Sequence, residues 1–306
     1  MSSTTSFLKG LSGMAGALAL VGLTAQTASA QAAPEPPKPN SGNLTLTGSF
    51  DFINTYMFRG ILQDDTKVMM WPAVDLGIKA YSGEGGLKSV GLNFGTWNSL
   101  HTGNAGMDSK KSGLGCACGK LWYESDFYAT LGLGFGGGTS LATTYTAYTS
   151  PNNGFSTVKE VMFKLSVDDS AALGKGALHP YVISAFEMNT KPGSGQADGG
   201  AKAGKYVELG VAPGYSGAAA SLAIPVKVAL SAGNYYEAPG TGKDSKFGYF
   251  SVGGVVTAPI KGVAAGYGSW NVHAGVEFQK LGDSLKVFNA GKDHKTIVSG
   301  GLGFTY

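Results

Sequence analysis

Several residue groups in this chain have types and spacings that could do chemistry. Ser269, Asn271, His273 and Glu277 share one parity of an extended stretch. A nucleophilic serine needs direct contact with its histidine and a third group to orient the ring. Residues four apart on a strand are separated by roughly 13 Å, so Ser269 does not reach His273, and Asn271 is no nucleophile. His101, His179 and His294 can meet carboxylates, but no spacing marks them. Cys116 and Cys118 lie in a polar stretch with His101 and Asp108. Their C-x-C spacing lacks the two paired ligand sets of a zinc site, and a disulfide between them would be strained. The run from Gly132 to Gly138 suggests a phosphate loop, but no helical pattern follows it. Gly240-Thr241-Gly242-Lys243 lacks the Ser or Thr that should follow the lysine. The sequence therefore predicts no catalysis, no cofactor and no metal. The chemistry left is electrostatic, and it depends on which face of the chain carries the charges.

That face is set by a period of two. Over 43–59 the even positions carry Leu44, Leu46, Phe50, Phe52, Tyr56 and Phe58, and the odd ones carry Thr45, Thr47, Ser49, Asp51, Thr55 and Arg59. Strict alternation over this length is the pattern of a β-strand with two unlike faces. It recurs in twelve segments: 43–59, 68–81, 88–99, 120–135, 141–150, 157–168, 178–190, 204–215, 221–235, 246–258, 267–281 and 294–306. Most reach the roughly 9–11 residues with which a tilted strand crosses a bilayer. Every second connection is compact, as in Gly83–Gly86 and Gly136–Ser140. Most of the others are longer and more polar, as in 100–119 and 282–293. Short turns at one end, longer loops at the other and an even strand count describe an outer-membrane barrel. Lipid cannot hydrogen-bond to peptide groups, so such a sheet must close on itself.

Composition agrees with this architecture. The 306 residues are 43% hydrophobic and 14% charged, with 49 Gly and a net charge of +3. Aromatic content and low net charge argue against disorder. No basic stripe marks a nucleic-acid partner. After residue 30 no apolar run is long enough for a membrane helix. The polar faces consist mainly of Gly, Ser, Thr and Ala, where a soluble sandwich would expose charges. Residues 1–30 carry one Lys and an apolar stretch, and end on Ala28-Ser29-Ala30, the pattern of a cleaved signal peptide. Residues 31–42 form a Pro-rich lead, and 43–306 form the barrel.

Parity turns inward the acids Asp51, Asp75, Glu124, Asp126, Glu160, Glu187, Glu208 and Glu277, and the bases Arg59, Lys79, Lys164 and Lys227. This excess of acid predicts a lumen with weak cation preference. Arg59 is the one arginine among 23 basic residues. Its planar guanidinium suits carboxylate pairing, and strand one would place it near Glu124 or Asp126 as a constriction. Trp270 lies on an apolar parity suited to a membrane girdle. Trp122 lies on a polar parity, facing the lumen, where it could stack on a solute. The chain ends Gly301-Leu302-Gly303-Phe304-Thr305-Tyr306, an alternating strand with Phe304 and Tyr306 where the outer-membrane assembly machinery reads its signal.

Tyr56-x-Phe58-Arg59-Gly60, Pro72-Ala73-Val74-Asp75, Asn93-x-Gly95-x-Trp97, Glu124-x-Asp126-x-Tyr128 and Tyr145-x-x-Tyr148 followed by Glu160 resemble the TorF-type porins of bacterial outer membranes. The resemblance covers about 43–165 and implies fold and location more than substrate. Together these features predict an all-β transmembrane barrel of about twelve antiparallel strands, integral to the outer membrane and surrounded by its lipid. It would pass small hydrophilic solutes or ions, alone or as a homo-oligomer. The alternatives are a non-conducting structural or adhesive barrel whose outer loops bind a partner, and a lipid-modifying or proteolytic barrel.

Overall fold

The computed structural model describes residues 42–102, 121–188, 202–238 and 241–306. The expected signal peptide, nearly all of the Pro-rich lead, and the Cys116–Cys118 pair lie outside the described residues. Twelve strands form the wall: β1 Leu44–Ile53, β2 Met69–Ser82, β3 Leu87–His101, β4 Trp122–Phe135, β5 Thr139–Thr149, β6 Val158–Val167, β7 Tyr181–Glu187, β8 Lys205–Val211, β9 Val226–Gly233, β10 Phe247–Pro259, β11 Ser269–Leu281 and β12 His294–Thr305. Each pairs antiparallel with its chain neighbours, and β1 pairs with β12 from Thr47↔Thr305 to Ile53↔Ser299. The sheet is thus a closed twelve-stranded barrel. The last residue completes the seam: the Leu46 N–H donates to the Tyr306 carbonyl at 2.9 Å, and the Tyr306 N–H returns to the Leu46 carbonyl at 2.8 Å.

Strands β8 and β9 continue in the short pieces Gly214–Ser216 and Ser221–Ala223. The breaks fall at Ala212-Pro213 and Ile224-Pro225, because proline has no N–H to give the ladder. Their carbonyls still take part: Ile224 N–H donates to Pro213 and Gly253 N–H to Pro225.

The outer face is the apolar one. Phe50, Leu76, Phe94, Phe127, Leu131, Phe163, Leu209, Val252, Val276 and Leu302 are all exposed. In a water-soluble protein so large a belt would be unstable; around a closed barrel it fits lipid. At the end of the barrel with the compact turns Trp270 stacks on Phe304, with ring centroids 5.2 Å apart, and its indole N–H donates to the Tyr267 carbonyl. This outward place matches the girdle position expected of it.

Two expectations need correction. Strand one does not run to residue 59: it stops at Ile53, and the chain then turns into the barrel. Tyr56–Phe58 and Ile61–Asp64 form a two-stranded hairpin inside the wall, with Tyr56, Met57, Phe58 and Ile61 all buried. Tyr56 and Phe58, expected on the apolar outer face, are interior. Trp122 does not face the lumen: the β3–β4 register shifts so that Ser99 pairs with Glu124 and Leu100 with Trp122. This bulge at Tyr123 flips the parity of the strand end. Tyr123 is buried, and Trp122 is 49% exposed on the outside.

The outward belt yields a first test. Val276 lies midway along β11 and is exposed. Val276→Arg is expected to lower folding stability in bilayers by about 2–4 kcal/mol, measured by urea titration, whereas Lys261→Ala in a turn should leave it unchanged.

Candidate functional site

The inner hairpin turns on Arg59-Gly60. Phe58 and Ile61 pair directly, so the loop has two residues, and both have positive φ, 46° and 85°. That is the signature of a type I′ turn, whose twist suits a tight hairpin. Gly60 is needed for more than its φ, because a Cβ there would lie 2.6 Å from Leu285 Cδ1. Loop residues from elsewhere hold the turn: Tyr236 donates its hydroxyl to the Arg59 carbonyl at 3.1 Å, and Asn289 Nδ2 donates to the Gly60 carbonyl at 2.8 Å.

At this tip Arg59 pairs with Glu160 on β6. Nη1 donates to Oε2 at 2.6 Å and Nη2 to Oε1 at 2.8 Å. Nη1 also donates to the Tyr235 hydroxyl at 3.0 Å, and the guanidinium carbon lies 4.2 Å from the Tyr206 ring centroid. Tyr148 donates its hydroxyl to Glu160 at 3.2 Å. Both charges are buried, so each depends on the other for solvation. The constriction expected of Arg59 with Glu124 or Asp126 is therefore corrected twice. Arg59 sits on the hairpin, not on a wall strand, and its partner is Glu160. Glu124 instead accepts the Tyr56 hydroxyl at 2.7 Å.

The other inward candidates occupy the wall. Glu208 on β8 accepts hydroxyls from Tyr181 at 2.8 Å, Tyr206 at 2.5 Å and Tyr249 at 3.3 Å. Lys227 lies 3.5 Å from Glu277, which also accepts Ser251 at 2.5 Å. Lys164 sits 4.9 Å from the Tyr181 ring centroid. Glu187 lies opposite Glu160 and accepts the Gly204 N–H at 2.7 Å. Asp75 accepts Asn93 at 2.5 Å. Asp51 contacts His273 Nε2, and His273 Nδ1 faces Asn271 Oδ1 at 3.1 Å. Lys79 is exposed at the turn end of β2. The structure thus brings Arg59, Glu160 and Glu187 into one group and Glu208, Lys227 and Glu277 into another.

A constellation not marked in the sequence lies beside the hairpin. Ser99 Oγ is 2.9 Å from His101 Nε2, and His101 Nδ1 is 2.8 Å from Asp64 Oδ2. With the Nδ1 proton directed at Asp64, Nε2 accepts the serine hydroxyl, which is the connectivity of a hydrolytic triad. All three residues are fully buried, the Trp71 indole donates to Ser99 Oγ at 2.9 Å, and the imidazole packs on Tyr123. No face of the serine is open to an acyl group. Asp64 also belongs to the hairpin, so a movement that uncovered Ser99 would remove the residue orienting the imidazole. The set ties the hairpin's return strand to β3. Ser99-x-His101, two apart on one face of a strand, was its legible part; Asp64 was not legible, because it comes from the hairpin.

Asp168, Asp169 and His179 cluster in the β6–β7 turn. Asp169 already accepts the amides of Leu178 and His179. Slight burial raises its pKa, but the His179 and Leu178 amides outweigh this and hold it below the ordinary carboxylate value. It braces the turn.

A closed antiparallel barrel with an apolar belt, polar inner faces and an inward-folded hairpin defines an integral membrane β-barrel of the outer-membrane type. No protein-family model and no curated protein sequence matches the chain. Solved structures that it is similar to include outer membrane phospholipase A from Escherichia coli, at 12% identity and TM-score 0.44 over 84% of this chain and 89% of that one. An outer membrane channel from Pseudomonas putida F1 gives 9% and 0.44 over 89% and 99%. The translocator domain of the autotransporter NalP from Neisseria meningitidis gives 15% and 0.42 over 87% and 89%. With identities this low and scores below 0.5, the class rests on the chain's own closed sheet and belt.

Arg59→Ala leaves Glu160 as an unpaired buried charge and is expected to cost about 3–5 kcal/mol, read as a lower urea midpoint in bilayers. Arg59→Met with Glu160→Leu, which removes both charges, should recover most of that loss.

Proposed function

We propose that the chain is an outer-membrane channel for small hydrophilic solutes and ions, with a preference for cations and a conductance limited by the inner hairpin. The observation that carries this reading is the contrast between the two halves of the lumen. In the turn half many inward residues are small or polar, among them Gly91, Asn93, Thr130, Gly132, Ala142, Ser166, Gly210 and Gly303, with Lys164 and Tyr181 as larger side chains at the same level. In the loop half the hairpin packs against Trp71, Trp97, Tyr148 and Tyr206. A polar vestibule leading to a short constriction suits selective passage. Acids outnumber bases among the inward candidates, which favours cations. Membership of a TorF-type family is part of the same proposal, as is recognition of the Phe304–Tyr306 end by assembly machinery.

A second reading is favoured by the packing itself. The hairpin is tethered to β6 by Arg59, to β4 by Tyr56, to β3 by Asp64 and, through Asp65 and Lys295 at 2.5 Å, to β12. A plug fastened on four sides also suits a non-conducting barrel that acts through its outer loops.

Planar-bilayer recording separates the two. Wild-type protein should show small steps with a cation-selective reversal potential. Replacing residues 57–62 with a short Gly-Ser link should enlarge the steps several-fold. Silence from both proteins, each verified as folded, would leave the adhesive barrel as the better account.

A further inference from the structure

Charges on the inner wall do not cancel everywhere. Glu160 has Arg59, Glu277 has Lys227 and Asp51 has His273. Glu124 and Asp126 on β4 have, among the described residues, no basic side chain within ion-pair distance. They are two apart on one face of a strand, so both point inward, and their carboxyl groups come within hydrogen-bond reach of each other. Tyr56 donates to Oε2 of Glu124 at 2.7 Å, which leaves the rest of that carboxylate free to face Asp126. Asp126 is 3% exposed, and its Oδ1 is buried with no hydrogen-bond partner. Glu160 adds a third negative group nearby, but its charge is already taken up by the bidentate Arg59.

Two carboxylates in contact, one with an orphaned buried oxygen, form an unfinished arrangement. Burying ionised oxygens without partners is costly, and like charges in contact repel. Something must lie between them: a shared proton with water, or a cation. The donors are all hard oxygens, with two carboxylates and a phenol holding one of them in place. That set suits an oxygen-seeking cation of the calcium type, which accepts irregular geometry and completes its shell with water. It does not suit zinc, which prefers nitrogen and sulfur. We propose that Glu124 and Asp126 form a binding site for a hard divalent cation on the inner wall beneath the hairpin, with Tyr56 as the residue that positions Glu124. Through Tyr56 an occupied site would also help to hold the hairpin down. The proposal does not depend on conduction.

Terbium tests it, because Trp97 is the cross-strand neighbour of Asp126 and can sensitise the ion's emission. The folded protein in detergent should give saturable terbium luminescence on tryptophan excitation, displaced by excess calcium. Asp126→Asn should weaken the apparent affinity at least tenfold, and Glu124→Gln with Asp126→Asn should abolish it. Trp97→Phe should lose most of the emission yet keep the calcium-dependent rise in melting temperature. Folding of each variant is scored by its shifted mobility on an unheated gel. Glu124→Gln alone, expected to weaken binding as Asp126→Asn does, serves if the aspartate variant does not fold. No saturable emission from wild type would overturn the proposal in favour of a shared proton and water. Emission that survives the double variant would overturn it too, by placing the ion elsewhere, for example at the Asp168–Asp169–His179 turn.

Discussion

The interior of this barrel depends on one buried ion pair. A twelve-stranded wall encloses more space than its own side chains can fill, unlike a barrel of about eight strands. The chain fills the loop end of that space with its first loop, and the tip of that loop is a charge. Burying a guanidinium is tolerable only where a carboxylate meets it in good geometry and its remaining donors find acceptors. Glu160 supplies the first condition with two parallel bonds, and the Tyr235 hydroxyl and the Tyr206 ring face supply the second. Lysine would offer a point charge with no fork to match the two oxygens. A chain that uses lysine at its other basic positions has its one arginine at this site.

Glycine makes the surrounding network possible. Long inward side chains reach their partners by lying across a residue with no side chain. Tyr128 covers Gly95, Tyr181 covers Gly210 on the way to Glu208, and Asp51 meets His273 over Gly301; a Cβ at any of the three glycines would come within 2.3 Å of the crossing side chain. The last case gives the terminal strand a second role. Its alternating glycines fit an end-of-chain assembly pattern, and they also open the gap through which β1 and β11 are joined across β12.

Much of the fold was legible because the bilayer imposes a period of two on every wall strand. Twelve segments, the closing pair and the outward belt all follow from that alternation. The hairpin was not legible, because Tyr56 and Phe58 keep the even parity of Phe50 and Phe52 with no break in hydropathy. A sheet that leaves the wall to fill the lumen needs the same alternation as one that stays in it. The available signals were Asn54-Thr55, where the strand stops, and Arg59-Gly60, a two-residue turn between apolar positions. Trp122 was misassigned for a different reason: a single bulge residue reverses every inward and outward assignment beyond it. The inward acids were readable one by one. Their partners were not, because Arg59 and Glu160 are 101 residues apart and Asp51 and His273 are 222 apart.

The asymmetry between the two halves has a physical cause. Backbone that enters the lumen must satisfy its own polar groups, and a two-stranded hairpin does so with few residues. Its reach is short, so it covers only the loop half of the barrel. The turn half is lined largely by glycine, threonine and serine, with Lys164 and Tyr181 among them, and keeps a polar surface. On the proposed channel reading, a solute would be selected over the few residues around Tyr56, Arg59, Glu124 and Glu160, and the same contacts that close the lumen carry its charge. A change that loosens the hairpin must also expose carboxylates now covered by Tyr56 and Arg59. On the proposed channel reading, opening and cation preference would thus be two effects of one set of bonds.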